Sequence, residues 1–388
     1  MALLVICALS SSQLTLIQPA FEDGLFKENL PPASIGDRQL SLFIKINPPI
    51  LTSDTKQDAY LQLRLFDARN NDTVKFTTYS ISVTKGTNPK AEPLLTDAFL
   101  AENGLLTLKI QPREGPVTVF SNLDPNLNAY QADHPGGDIK LTGPILLEGG
   151  LYHFKITLVT IDNIHTLFSP YSAPSYETYL SVGDVFKQDV QTADKATTYP
   201  VTIISYYDKV KDFGFNAGAK TFTWAMPFDW NTSRIEKAAN VFVHEEIRVP
   251  KSFAGIGDAN AFDAKVNGKP VAGRMLAVDP FSDEKNLIVH FLINKNDVLD
   301  MARNNINPPS TNDSQQQMMT FSLSPASNAA GAEQTSGEIS TDTGGIHVLL
   351  GWTPSQLKAG TDTKLHLQFF DAFSGANISD DVKYDLKV

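Results

Sequence analysis

Cysteine is nearly missing from this sequence: 388 residues contain one, Cys7, inside the apolar stretch Met1-Ala2-Leu3-Leu4-Val5-Ile6-Cys7-Ala8-Leu9. Beyond that stretch no disulfide, iron–sulfur centre or thiolate-bound copper ion can form. Stability therefore has to come from large apolar cores. Runs of Lys or Arg are missing too, and the formal net charge is −11, so a phosphate-tracking surface has no electrostatic basis and nucleic acid is not an expected partner. Such an acidic surplus opposes self-association in a soluble secreted protein. After the N-terminus no stretch reaches the roughly 20 apolar residues of a membrane helix, so a C-terminal membrane anchor is not expected. The sequence also lacks a Gly-x-Ser-x-Gly elbow and the HExxH and CxxC spacings. The nucleophile and metalloenzyme signatures are thus missing, and a non-catalytic role is favoured over an enzyme.

Charged residues make up 19% and hydrophobic residues 42%, with 23 Pro, 24 Gly and 23 Phe, a composition that suits a folded strand-and-turn protein. At this length more than one core is needed. Residues 1–21 resemble the hydrophobic and cleavage regions of a secretory signal or an N-terminal anchor, without the basic leading region, and imply an extracellular or cell-surface location.

An internal repeat carries most of the architectural information. Leu61-Gln62-Leu63-Arg64-Leu65-Phe66-Asp67-Ala68, followed by Tyr79-Ser80-Ile81-Ser82-Val83, is matched by Leu365-His366-Leu367-Gln368-Phe369-Phe370-Asp371-Ala372, followed by Tyr384-Asp385-Leu386-Lys387-Val388. Alternation puts Leu61, Leu63, Leu65 and Leu365, Leu367, Phe369 on one face, the period of a half-buried strand. Each copy reads as a hairpin, and since a lone hairpin is marginal in water, each needs a facing sheet. Further strands are predicted over 40–46, 105–110, 151–161, 201–206, 221–225, 241–249 and 287–293, with hairpin turns at Asn103-Gly104 and Asn267-Gly268. Short helices are predicted over 233–239, capped by Ser233, and over 296–304.

The predicted class is all-β: two or three antiparallel immunoglobulin-like β-sandwich domains with few short helices. Residues 22–195 form an N-terminal sandwich, 196–305 a central β domain and 306–345 a loop-rich linker or insertion, interrupted by Met319-Thr320-Phe321-Ser322-Leu323; 346–388 is a β repeat related to 38–83. Gly150-Leu151-Tyr152 resembles the Gly-x-Tyr start of a late immunoglobulin-like strand. Together with Tyr152-His153-Phe154, Thr160-Ile161-Asp162-Asn163, Met226-Pro227-Phe228-Asp229-Trp230 and the two Phe-Asp repeats, it resembles exported β-sandwich proteins of ammonia-oxidising archaea. That resemblance covers most of the chain, implies a cell-surface protein, and carries no functional residue with it.

Candidate binding residues are few. His244 and Glu246, i and i+2 on the polar face of the 241–249 strand, can share a cation such as Cu²⁺. Asp133, His134 and Asp138 flank a Pro-Gly-Gly turn whose oxygens suit Ca²⁺, although a plain turn explains the same residues. Phe228 and Trp230 offer rings for a sugar face, while Trp224, alternating with Phe222 and Met226, belongs to a core. Adjacent Glu245 and Glu246 point to opposite faces and so cannot be a catalytic pair. The leading expectation is a non-catalytic extracellular protein that mediates assembly or adhesion through β-sandwich modules with protein partners or copies of itself, no cofactor being required. The alternatives are a glycan-binding module or glycan-active enzyme and a periplasmic-type metal-binding protein.

Overall fold

The computed structural model describes residues 22–51, 58–88, 90–259, 261–303, 317–326, 335–340, 346–353, 360, 362, 364–371 and 378. Residues 1–21 and the second strand expected for the C-terminal repeat, 384–388, lie outside this set. The described chain is predominantly β, with two short α-helices.

Two layered units follow one another. In the first, a six-stranded sheet runs in the order Lys27–Ile35, Arg38–Asn47, Ala59–Asp67, Leu105–Pro112, Ile139–Gly143, Thr118–Phe120. It faces a sheet that contains Leu95–Ala101, Thr77–Lys85, Gly150–Thr160 and the beginning of the strand Ser175–Gln191. Strict alternation drives this packing. In Ala59–Asp67 every second residue is buried, and Leu61, Leu63 and Leu65 meet Tyr79, Ile81, Val83, Phe154 and Ile156 in one core. Each such side chain contributes about 1.5–3 kcal/mol by leaving water. Two tyrosines tie the layers together: the Leu65 amide donates to Tyr79 Oη at 3.0 Å, and Tyr176 Oη donates to the Leu40 carbonyl at 2.6 Å.

In the second unit the same long sheet continues through Thr198–Ser205, Asn240–Pro250, Asn286–Asn294 and Leu276–Asp279, and it faces a five-stranded sheet, Lys211–Asn216, Thr221–Pro227, Met318–Pro325, Phe262–Val266, Lys269–Val271. The core between them centres on Trp224, stacked on Phe321 at 5.2 Å and edge-on to Phe291 at 5.4 Å.

The joint between the units is a strand rather than a linker. Ser175–Gln191 is 17 residues long. Residues 175–182 pair with Gly150–Thr160 of the first unit, and residues 184–191 pair with Thr198–Ser205 of the second. At the handover Gly183 donates to the Pro49 carbonyl at 2.7 Å, and a Cβ there would come within 3.0 Å of both Ile50 and the Ser205 carbonyl. Glycine lets the backbones approach this closely. The N-terminal stretch adds a second stitch: Ser181 donates to the Leu25 carbonyl, while Glu22–Asp23 pairs in parallel with Asn240–Val241.

Several expectations are corrected. The boundary expected near 192–198 falls on the tight turn between Gln191 and Thr198, inside the second unit, because a strand that serves two sheets leaves no compositional break. Within 306–345 the apolar interruption at 319–323 is more than a break in a loop: it is the middle of a central strand, Met318–Pro325, with Met319, Phe321 and Leu323 buried. Asn267-Gly268 closes a hairpin, but Asn103-Gly104 turns the chain from one sheet to the other. The 61–65 and 79–83 segments are likewise no hairpin: they lie in facing sheets. The first helix, Thr232–Lys237, is capped by Asn231 in place of Ser233, its side chain accepting from the Arg234 amide; the second is Lys295–Arg303.

The repeat itself is structural, in a different pairing. Arg38–Asn47 pairs antiparallel with Ala59–Asp67 so that Leu40 faces Asp67 and Ile46 faces Leu61. Ile346–Thr353 pairs with Lys364–Asp371 so that Ile346 faces Asp371 and Trp352 faces Leu365, a register with the same spacing. In both copies proline follows the first strand, Pro48 and Pro354, and another antiparallel strand precedes it, Lys27–Ile35 or Thr335–Ser340.

A shared strand predicts shared unfolding. Leu63→Ala, at a fully buried site of the first unit, should cost about 2–5 kcal/mol. All tryptophans, at 224, 230 and 352, follow the shared strand, so tryptophan fluorescence reports on the rest of the molecule. In urea the fluorescence midpoint of the variant should fall together with the far-UV circular dichroism midpoint. An unchanged fluorescence midpoint beside an earlier dichroism step would show that the units unfold independently.

Candidate metal centre

Strand periodicity sets the polar face of Asn240–Pro250. Val241, Val243, Ile247 and Val249 enter the core of the second unit, which turns His244, Glu246 and Arg248 to the opposite face. Glu246 is only 4% exposed even so. The neighbouring strand places His290 directly opposite Glu246, and Tyr206, just past Thr198–Ser205, donates its hydroxyl to Glu246 Oε2 at 3.2 Å. Arg248 Nε donates to the other carboxylate oxygen. The His244 ring stacks on Tyr206 with centroids 4.4 Å apart and planes within 9°.

His244 Nε2 lies 3.1 Å from His290 Nδ1, and His290 Nδ1 lies 3.9 Å from Glu246 Oε2. One ligand atom from each of the three residues falls within 4.8 Å of the others, and among the described residues this is the group of three His, Cys, Asp or Glu donors with that proximity. Burial lowers the proton affinity of His290 against the opposing pull of Glu246 and Asp279. Desolvation likewise raises the Tyr206 phenol well above its ordinary value, so the hydroxyl remains a donor.

The other candidates do not converge. Asp133 and Asp138 lie on an exposed turn, closed by Gly137 donating to the His134 carbonyl at 3.0 Å, and Asp133 accepts from Asn122 at 3.2 Å. Phe228 is 3% exposed and belongs to the core. Trp230 leans on it with centroids 4.7 Å apart and gives its indole N–H to the Met318 carbonyl. Phe228 and Asp229 do line a cleft of about 530 Å³ where the two units meet, with Lys85, Asn88 and Asp208 on its other walls. Trp224 is core, as alternation indicates.

Glu245 and Glu246 occupy opposite faces, as strand geometry requires. Glu245 is fully buried and accepts from Ser205 Oγ at 2.5 Å and Trp224 Nε1 at 3.2 Å; burial pushes its carboxyl up to about 8. Beside the junction, Asp208 is raised to about 6 by desolvation. Glu148 is held at about 2: hydrogen bonds from Lys209 and Lys85 outweigh the burial that would raise it. Sequence reading missed His290 and this carboxylate cluster. The signal for His290 was available, a lone polar residue within Leu287-Ile288-Val289-His290-Phe291-Leu292-Ile293.

No protein-family model, curated protein or solved structure matches the chain.

Asp208 gives a signed pH prediction. Its folded value near 6 stands above the ordinary 3.8, so the folded state holds the proton more tightly. The resulting stability is present below pH ~4 and is lost as pH rises through ~6. Asp208→Asn keeps the shape and the acceptor oxygen. It should raise stability relative to the parent by about 1–3 kcal/mol at pH 7.5 and by little at pH 4, read from urea midpoints at both values. An equal effect at the two pH values would refute the assignment.

Proposed function

We propose that the chain is a non-catalytic extracellular or cell-surface protein whose immunoglobulin-like sandwich modules mediate assembly or adhesion. The observation that carries this reading is the repeated meander: the strand pairing of the first unit recurs, in the same register, at Ile346–Thr353 and Lys364–Asp371. Reuse of one module along a chain whose units are joined without a linker suits a protein that holds partners at fixed spacing. Two features support the immunoglobulin-like kinship. One is the run of antiparallel strands in facing layers; the other is Tyr152, whose hydroxyl donates to the Glu148 carbonyl four residues upstream at 2.6 Å, like the tyrosine corner of such domains. Export follows from the character of residues 1–21 and from the resemblance to archaeal surface proteins.

In this reading Lys364–Asp371, the last strand of the long sheet among the described residues, offers a surface for self-association; Ile378 donates to its Phe369 carbonyl, and Leu365 on it is 45% exposed. Open strand edges pair with other chains unless charge blocks them. Size-exclusion chromatography with light scattering should show concentration-dependent oligomers that Leu365→Lys returns to monomers. A strict monomer at millimolar concentration would overturn self-assembly. The junction cleft supports a second reading as a glycan-binding module, since Lys85, Asn88, Asp229 and Gln317 offer donors and acceptors beside the apolar Phe228 and Leu151.

A further inference from the structure

We infer that His244, Glu246 and His290 form a binding site for one borderline divalent transition ion of the zinc, copper or nickel class, on the outer face of the second unit's long sheet. This goes beyond the assembly reading and stands whether or not the chain self-associates.

Sheet geometry builds the site. Residues directly opposite on antiparallel strands bring their Cβ atoms within about 5.5 Å, and diagonal neighbours lie about 7–8 Å apart. His290 is opposite Glu246 and diagonal to His244, so both imidazoles and the carboxylate reach one point above the sheet. An ion bound tetrahedrally at about 2.0–2.1 Å separates its ligand atoms by about 3.3 Å. The separations of 3.1 and 3.9 Å bracket that value, and the third pair, His244 with Glu246, lies within 4.8 Å, so rotamer adjustments close the set.

The donor chemistry selects the ion. Two imidazoles and one carboxylate suit zinc and its borderline neighbours, whereas Ca²⁺ and Mg²⁺ demand six or more oxygens. Three protein ligands leave a fourth position for water. Groups around the ligands already orient them, which is the usual support of a metal site: Tyr206 holds Glu246 Oε2 and stacks on His244, and Arg248 holds Oε1.

The test uses the full, tag-free chain and Co²⁺ as the probe. One equivalent should bind with the visible d–d absorption of a four-coordinate nitrogen and oxygen site. Zn²⁺ should displace it and raise the melting temperature, and Ca²⁺ should do neither. His244→Gln and His290→Gln should each abolish the band. Tyr206→Phe should weaken affinity roughly tenfold, and His153→Gln, at a separate His–Glu pair with Glu177, should change nothing. If His290→Gln does not fold, His244→Gln, on a half-buried ring, decides. Absence of both band and melting shift at about 100 μM metal overturns the proposal, as does binding indifferent to the two histidine variants. A triad that serves only as a hydrogen-bond network gives that result: variants with lowered stability and a parent without a metal response.

Discussion

Ser175–Gln191 hands its backbone hydrogen bonds from one unit to the other at Gly183, and the relative placement of the two cores follows from that exchange. A strand cannot slip by one residue without moving every side chain to the wrong face. Tyr176, Leu180 and Val182 are committed to the first core, and Val190 to the second. Register errors in either half are therefore penalised by both. Gly149, passing so close to Asp184 that a Cβ would come within 2.6 Å of it, shows how little space the joint leaves.

Polar groups collect around this joint in a way the cores alone do not require. Glu148 bridges Lys85 of the first unit and Lys209 of the second, while Asp208 and Glu245 lie buried nearby. A carboxyl without water is costly unless it is hydrogen-bonded or neutral. Glu245 meets both conditions, with Ser205 and Trp224 as donors and a proton retained to about pH 8. Well-packed apolar replacements of buried ionisable groups are often neutral or stabilising.

Much of the fold was legible. Alternation located most strands to within a few residues, identified Trp224 as core, and separated Glu245 from Glu246. What escaped was long-range pairing. Asn103-Gly104 has the local chemistry of a hairpin, yet its flanking strands join different sheets, a choice made by the facing core. The domain boundary escaped because one continuous strand serves both units. Of the metal triad, His244 and Glu246 could be read from their i, i+2 spacing, but His290 is brought to them by register across 46 residues, which no local pattern encodes.

The continuous strand also has a mechanical meaning. Two globular units on a flexible linker let the linker stretch before either unit bears load. Here tension along Ser175–Gln191 passes directly into ladder bonds on both sides of Gly183, where it acts in shear across many bonds at once instead of opening them one after another. The molecule should therefore transmit a pull as a stiff strut, yielding late and abruptly.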